Sequence, residues 1–219
     1  MTGQTLYEGI TLHNGDCRDI MREMPADHFD AVITDPPYGI AFKGEKWDTA
    51  TPRGFQSWCE SWAVEALRIV KPGGYLLAFS APRTYHRLAA GIEDAGFEIR
   101  DTMAWLRADG KASAVDQGAP DHGWPVFKYQ PKAPTHERPK VGGVQHVTVK
   151  PLDLMRYLIR LVVRPGATIL EPFAGSGTTL QAAAMEGVNA VGCELDERYI
   201  PLIHERFRRG IDAPLDFLI

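Results

Sequence analysis

Short apolar runs alternate with amphipathic stretches along most of the chain. Runs typical of strands fall at about 9–14, 29–34, 74–80, 97–106, 167–171 and 189–194. Apolar residues with a helical period occupy about 17–24, 55–70, 83–95, 151–164, 177–187 and 196–208. Because strands and helices alternate, the pattern predicts an α/β fold with a mostly parallel, doubly wound sheet.

Composition adds limits to this picture. The 219 residues are 44% hydrophobic and 24% charged, which is typical of one soluble globular domain, so we expect a single domain over 1–219. No stretch reaches the roughly 18 apolar residues of a membrane span, and no signal peptide begins the chain, so we expect no membrane association. Cys17, Cys59 and Cys193 lack metal-ligand spacing, which favours a reducing cytoplasm and no metal site.

Two segments have neither period. Residues 39–54 leave a strand-like run and contain Lys46, which is consistent with a lid or with a plain connection. Residues 108–145 are rich in Gly, Pro, His and Lys. A loop of this length inside a domain is usually functional or disordered, so both alternatives remain.

The first candidate site is Asp35-Pro36-Pro37-Tyr38, which ends an apolar run. Proline has no N–H, so this stiff segment offers carbonyl acceptors without competing donors. Asp35 adds a charged acceptor and Tyr38 adds a stacking face. The segment can hold a flat ring that carries an amine, although a strand-ending turn capped by Asp35 would have the same sequence.

The second candidate site joins a strand-like run to a helix-like run: Glu171-Pro172-Phe173-Ala174-Gly175-Ser176-Gly177-Thr178-Thr179. Glycines at such a turn let a ligand approach the backbone of a helix N-terminus. The next strand-like run ends at Glu194, 19 residues after Gly175, a spacing that suits a carboxylate on ribose hydroxyls. The third glycine of the dinucleotide fingerprint is absent, and no P-loop Lys follows, which favours a nucleoside without a pyrophosphate.

The two motifs together resemble the signature pair of amino-group DNA methyltransferases, which use S-adenosyl-L-methionine. The catalytic motif precedes the cofactor motif, as in the β group of that family, whose Rossmann-like fold is circularly permuted. Three further segments fit the resemblance: Asn14-Gly15-Asp16-Cys17, Lys71-Pro72-Gly73-Gly74-Tyr75 and His146-Val147-Thr148-Val149-Lys150-Pro151. It covers roughly residues 11–107 and 146–208. Glu171 departs from it, since the family usually has Asp there.

The resemblance implies roles for individual residues. The Asp35 carboxylate and the Pro36 carbonyl would accept the two N–H groups of the target amine, and Tyr38 would stack on a base flipped out of the duplex. The implied catalytic set is Asp35, Pro36, Pro37 and Tyr38. The implied cofactor set is Asp16, Cys17, Thr148, Lys150, Glu171, Phe173, Gly175, Ser176, Gly177, Thr178 and Glu194.

The charge distribution is compatible with double-stranded DNA as the partner. The net charge is −4, but residues 100–165 carry 11 Lys and Arg against 6 Asp and Glu. Phosphate contacts require such a basic sector. The candidate DNA contacts are Lys46, Lys128, Lys132, Arg138 and Lys140. Residues 108–145 lie where enzymes of the β group carry their target-recognition region. This insert is short for that role, which favours a short DNA recognition sequence or recognition assisted by a homodimer.

Asp rather than Ser before Pro-Pro-Tyr favours adenine N6 as the methylated atom. Cytosine N4 is the first alternative. RNA and protein-glutamine methyltransferases mostly carry Asn at this position and place the cofactor motif first. A non-catalytic DNA-binding module with the same fold would be expected to lose Asp35 or a loop glycine, and neither is lost. We therefore expect an active DNA methyltransferase of the restriction-modification type.

Overall fold

The computed structural model describes residues 3–40, 51–106, 112–113 and 127–210, without the side chains of 112–113 and 127–129. Its strands are β1 (Gln4–Tyr7), β2 (Ile10–Asn14), β3 (Phe29–Thr34), β4 (Val70–Ala78), β5 (Ala104–Leu106), β6 (Ala112–Ser113), β7 (Phe127–Tyr129), β8 (Lys140–Val141), β9 (Val144–Gln145), β10 (Thr168–Glu171) and β11 (Asn189–Glu194). Its α-helices are α1 (Cys17–Arg22), α2 (Pro52–Ile69), α3 (Tyr85–Asp94), α4 (Leu152–Val162), α5 (Thr178–Met185) and α6 (Ile200–Arg208), and Thr135–Glu137 forms a 3₁₀ turn.

A six-stranded sheet in the order β1-β2-β11-β10-β3-β4 forms the centre. Only the β1–β2 pair is antiparallel, and it forms a hairpin at one edge. Glu194 lies opposite Asn14, and Thr34 lies opposite Ala78, so the carboxyl ends of these strands meet at one edge of the sheet. Of these strands, β2 and β3 lead into segments that the sequence singles out, and β11 ends at the predicted cofactor residue Glu194.

Both faces of the sheet are covered, which confirms the predicted doubly wound α/β architecture. In β3, Ala31 and Ile33 pack into the cluster that contains α4 and α5, while Val32 packs into the cluster around α1, α2 and α3. Successive strand residues point to opposite faces, so a strand buried on both sides must be apolar throughout. This explains why β3, β10 and β11 were recognisable as nearly continuous apolar runs.

The prediction of a strand over 97–106 was wrong. Only Ala104–Leu106 is a strand, and it pairs with β6 and β7 in a separate three-stranded sheet. Residues 97–103 alternate as a strand would, but Ile99 is 42% exposed, so this alternation does not produce a buried face. The hairpin strand Gln4–Tyr7 was not identified individually, because only one of its residues, Leu6, packs against the core.

Two segments that the sequence singles out lie partly outside the described residues. Residues 41–50 of the expected lid, including Lys46, lie outside the described residues. So do residues 107–111 and 114–126 of the expected recognition insert. The single domain over 1–219 and the role of the insert stay predictions. Among the described residues, no helix has the length and apolarity needed to cross a membrane.

Candidate active site

A cleft of about 1240 Å³ opens at the carboxyl edge of the parallel strands. The segments that follow β2, β3, β4, β10 and β11 line it, together with residues 146–150. Ligands of open α/β sheets bind outside the carboxyl ends of the strands, so this is the expected position of a site. The cleft brings together all the predicted catalytic residues and every predicted cofactor residue except Gly177, whose loop neighbours Ser176 and Thr178 line it.

Two glycines shape the loop between β10 and α5. Gly175 and Gly177 have φ of 55° and 78°, in the left-handed region that favours glycine. A Cβ on Gly175 would lie 3.1 Å from His146 Nε2, and one on Gly177 would lie 2.9 Å from Ile203 Cγ2. A side chain on Gly175 or Gly177 would therefore crowd a neighbouring residue, so the loop backbone packs closely at both positions.

Glu194 fixes this loop from the next strand. The Gly175 N–H donates to Glu194 Oε2 at 2.7 Å, and the Asp196 N–H donates to Oε1 at 2.8 Å. Burial raises the pKa of the Glu194 carboxyl to about 7, against the opposing effect of these hydrogen bonds. Each carboxylate oxygen has two lone pairs, so each can accept a second donor from a ligand.

Glu171 links the loop to the catalytic strand. Its Oε1 accepts from the Thr34 hydroxyl at 2.5 Å and the Phe173 N–H at 3.0 Å, and its Oε2 accepts from the Thr179 hydroxyl at 2.6 Å. Burial raises the pKa of the Glu171 carboxyl to about 8, although these hydrogen bonds oppose the shift. The carboxylate is thus engaged by protein donors between β3 and α5, and a direct cofactor contact by Glu171 stays a prediction.

Asp35 has two partners at the end of β3. The Tyr38 hydroxyl donates to Oδ1 at 2.6 Å, and the Lys150 ammonium forms an ion pair with Oδ2. Lys150 is 8% exposed, and its Nζ lies 5.5 Å from the Tyr38 ring centroid and 5.0 Å from that of Phe79. Both rings can stabilise the cation through their π faces. The sequence did not predict this pairing of Lys150 with the catalytic acid.

The segment 146–150 covers the glycine loop. The His146 ring lies edge-on to Tyr199 at 4.6 Å, and its Nδ1 accepts from the Thr148 N–H at 3.3 Å. Burial lowers the pKa of the His146 imidazole to about 4, so the ring is neutral at pH 7. A neutral ring can pack over Gly175 without placing a second cation beside Lys150.

Asp16 and Cys17 border the cleft from β2. Asp16 caps α1 by accepting from the Arg18 N–H at 2.9 Å, and the Arg18 guanidinium donates to both carboxylate oxygens. These Arg18 hydrogen bonds lower the pKa of Asp16. Burial raises the pKa of the Cys17 thiol to about 12, so this thiol stays protonated at pH 7.

The predicted DNA contacts separate into groups. Lys132 and Arg138 line the cleft, whereas Lys140 is exposed on β8. Lys46 and the side chain of Lys128 lie outside the described residues. Among the described residues, no group of three or more His, Cys, Asp or Glu could hold a metal ion.

Arg206 is a site residue that the sequence did not reveal. It is 3% exposed, and it donates to the Ser176 carbonyl at 2.7 Å, the Glu137 carbonyl at 2.9 Å and Gln181 Oε1 at 2.8 Å. Burial lowers the pKa of Arg206 to about 10, so it remains charged at pH 7. Its sequence neighbour Arg208 is solvent-exposed, and nothing in the helical pattern distinguishes the two. Phe79 and Trp105, which line the cleft, were likewise treated only as strand residues.

Comparison with known proteins agrees with this geometry. A family described as DNA methylase matches residues 29–134 and 111–205. The chain is 28% identical over 191 residues to YubD of Escherichia coli (strain K12), a protein named as a methylase, with 84% of each chain covered.

Two solved structures show the same fold. One is TTHA0409 of Thermus thermophilus, described as a DNA modification methylase and solved with S-adenosyl-L-methionine. It is 25% identical with a TM-score of 0.64, over 92% of this chain and 96% of that one. The other is the cytosine-N4-specific PvuII DNA methyltransferase, 16% identical with a TM-score of 0.72, over 90% and 86% of the two chains.

Proposed function

The chain belongs to the DNA methylase family of N6 and N4 amino-methyltransferases, and on this premise we propose that it methylates adenine N6 in double-stranded DNA. The family establishes an S-adenosyl-L-methionine-dependent enzyme that acts on DNA. The choice of adenine and the roles of individual residues are our proposal. The convergence of the Asp35–Tyr38 segment and the glycine loop on one cleft supports amino-group methylation, and Asp35 rather than Ser before Pro-Pro-Tyr favours adenine.

The glycine loop and its acids suit the cofactor. A side chain on Gly175 or Gly177 would prevent the close approach of a ligand to the loop backbone. The Glu194 oxygens retain lone pairs that can accept from ribose hydroxyls. Asp16 follows the neighbouring strand β2, close to Glu194, where it would accept from the adenine end. When bound, S-adenosyl-L-methionine supplies an electrophilic methyl group. Thr148 and Phe173 would border its methionine end and its ring.

Asp35 and Pro36 would hold the target amine. An exocyclic amino group is a weak nucleophile because its lone pair is delocalised into the ring. A carboxylate oxygen and a carbonyl that each accept one N–H would direct that lone pair out of the ring plane and stabilise positive charge developing on nitrogen. Lys150 fixes the orientation of Asp35 through the ion pair, and each Asp35 oxygen keeps a lone pair for the amine.

Tyr38 would provide the face on which the flipped base stacks. Its hydroxyl is bound to Asp35, so the ring and the acceptor are held as one unit. Phe79 and Trp105 lie edge to face at 6.3 Å between centroids and line the same part of the cleft. Together these rings give the target side of the cleft an aromatic character that suits a flat heterocycle.

Long-read sequencing of DNA from cells that express the protein tests the proposal. We expect N6-methyladenine at one recurring sequence, and its disappearance when Asp35→Ala is expressed at the same level. N4-methylcytosine at a recurring sequence would instead support the alternative, methylation of cytosine N4. A lack of any mark from the wild-type protein would contradict DNA methylation by this chain.

A further inference from the structure

A second, smaller pocket lies beside the active-site cleft. It has a volume of about 220 Å³, and its lining includes Gly39, Arg83, Thr84, His86 and Arg87. Gly39 directly follows Tyr38, and α3 begins at Tyr85 within the lining segment. The backbone that carries the predicted catalytic residues therefore runs from the lining of the cleft into the lining of the pocket.

The pocket is cationic and lacks a carboxylate. Its described lining contains two arginines and a histidine but no Asp or Glu. Arg18, Arg156 and Arg198 elsewhere each form an ion pair with a carboxylate. Within the described part of the chain, neither Arg83 nor Arg87 has such a pair. An external anion would supply the negative charge that the described lining lacks.

Two buried polar atoms of the pocket have no hydrogen-bond partner within the described part of the chain. They are the Thr84 hydroxyl oxygen and Arg87 Nε. Thr84 is the N-cap residue of α3, yet its side chain makes no capping hydrogen bond. Buried polar groups are usually satisfied, and a donor left unpaired is costly. Both residues line the basic pocket, so a small side-chain rotation toward a phosphate oxygen would give each group the acceptor that it lacks.

The pocket is held in register with the catalytic segment. Arg83 Nη2 donates to the Ile40 carbonyl at 3.0 Å, and Ile40 itself lines the active-site cleft. On the other side, Arg87 Nη1 donates to Gln56 Oε1 at 3.1 Å, which leaves Nε for another acceptor. An anion bound here would thus lie at a fixed position relative to the segment that ends β3.

We propose that this pocket binds a backbone phosphate of the DNA strand whose base enters the cleft. The inference rests on the proposed function, because it assigns a place to that same substrate. Phosphate contacts position a nucleic acid without reading its sequence. Arg83, Thr84 and Arg87 would fix the sugar–phosphate chain beside the catalytic segment, independently of the basic residues between 128 and 140.

The salt dependence of DNA binding tests the charge of the pocket. The double variant Arg83→Gln/Arg87→Gln should weaken duplex binding and reduce the slope of log affinity against log salt by roughly 1–2 units. Arg22→Gln/Arg208→Gln is the matched control. It removes the same charge from exposed positions in the last turns of α1 and α6, outside the basic sector at 100–165. Equal slopes for the two double variants would overturn the proposal.

Thr84→Val separates binding from folding. Because the Thr84 hydroxyl has no partner among the described residues, its replacement by a methyl group should leave the melting temperature unchanged or raise it. We expect DNA affinity to fall several-fold while S-adenosyl-L-methionine affinity, measured by calorimetric titration, stays the same. Unchanged DNA affinity in Thr84→Val would show that the Thr84 hydroxyl does not contact the phosphate.

Uncharged phosphate analogues identify which phosphate of the DNA the pocket contacts. In duplexes with single methylphosphonate substitutions around the target base, wild-type affinity should drop at one position, and Arg83→Gln/Arg87→Gln should show no further drop there. A drop of the same size in the double variant would contradict the assignment. If the wild-type protein neither binds nor methylates DNA, the proposed function fails instead, so the two failures are distinguishable.

Discussion

The two halves of the cleft hold their acids in opposite ways. On the glycine-loop side, Glu171 and Glu194 are buried, and their donors among the described residues are neutral hydroxyl and backbone N–H groups. On the other side, Asp35 faces the Lys150 ammonium, with the rings of Tyr38 and Phe79 around it. The first arrangement fixes a backbone shape, whereas the second keeps a carboxylate oriented beside aromatic faces. This difference supports our proposal that one half binds the cofactor and the other half carries the chemistry.

Asp35→Ala should have the largest effect, because it removes the proposed acceptor of the target amine and leaves the glycine loop untouched. We expect turnover to fall by about 100-fold or more, with S-adenosyl-L-methionine affinity nearly unchanged. Methyl transfer and calorimetric titration measure the two quantities. More than a few per cent residual turnover would show that Asp35 does not have this role.

Tyr38→Ala should weaken productive DNA binding by about 1–3 kcal/mol, the usual value of a lost base stack. Tyr38→Phe keeps the ring and loses only the hydrogen bond to Asp35, at about 0.5–1.5 kcal/mol. Binding to a duplex with an abasic site at the target position gives the control, since no base can stack there. If Tyr38→Phe proved inactive, the hydroxyl rather than the ring would be the essential group.

Gly175→Ala should weaken S-adenosyl-L-methionine binding, by about 10-fold if the distortion costs about 1.4 kcal/mol. The added Cβ meets His146, and its φ is strained. Gly166→Ala is the matched control, because Gly166 also has a positive φ but nothing within 4 Å of a Cβ. Both variants should lose stability, but only Gly175→Ala should lose cofactor affinity. An equal affinity in the two variants would place the cofactor elsewhere.

Glu171→Gln should change the pH dependence of stability. Because the folded pKa of Glu171 is raised to about 8, the folded state retains a proton that the unfolded chain loses near pH 4.5. Stability should therefore fall as pH rises through this window, by up to roughly 1.4 kcal/mol per pH unit for one proton. The Gln variant should show a shallower fall, with the remainder due to groups such as Glu194. Thermal melts from pH 5 to pH 8 measure this, and identical profiles would contradict the raised pKa.

The sequence was sufficient for the parts of the fold that depend on local pattern. The strands β3, β10 and β11 are buried on both faces and therefore form continuous apolar runs. The motifs follow these strands directly, so their convergence on one edge of the sheet could be predicted from the topology. The edge hairpin strand β1 and the short β5 lack a two-sided apolar signal, and they could not be placed in the same way.

Tertiary pairings were beyond the sequence. Lys150 and Asp35 are separated by 115 positions, and nothing in either motif indicates that their charges meet. The resemblance implied a cofactor contact for Glu171, and it gave no sign that the Glu171 carboxyl group would also accept from the Thr34 and Thr179 hydroxyls. Such outcomes depend on which donors packing brings near an acid. The homodimer and the DNA contacts of Lys46 and Lys128 stay predictions for the same reason.

Transfer of an isotopically labelled methyl group tests the central claim most directly. The purified protein would be incubated with duplex DNA and S-adenosyl-L-methionine that carries a trideuterated methyl group, and the DNA would be digested to nucleosides for mass spectrometry. The account predicts label in N6-methyladenine with the wild-type protein and its loss with Asp35→Ala. Label confined to N4-methylcytosine, or label that persists in Asp35→Ala, would contradict it.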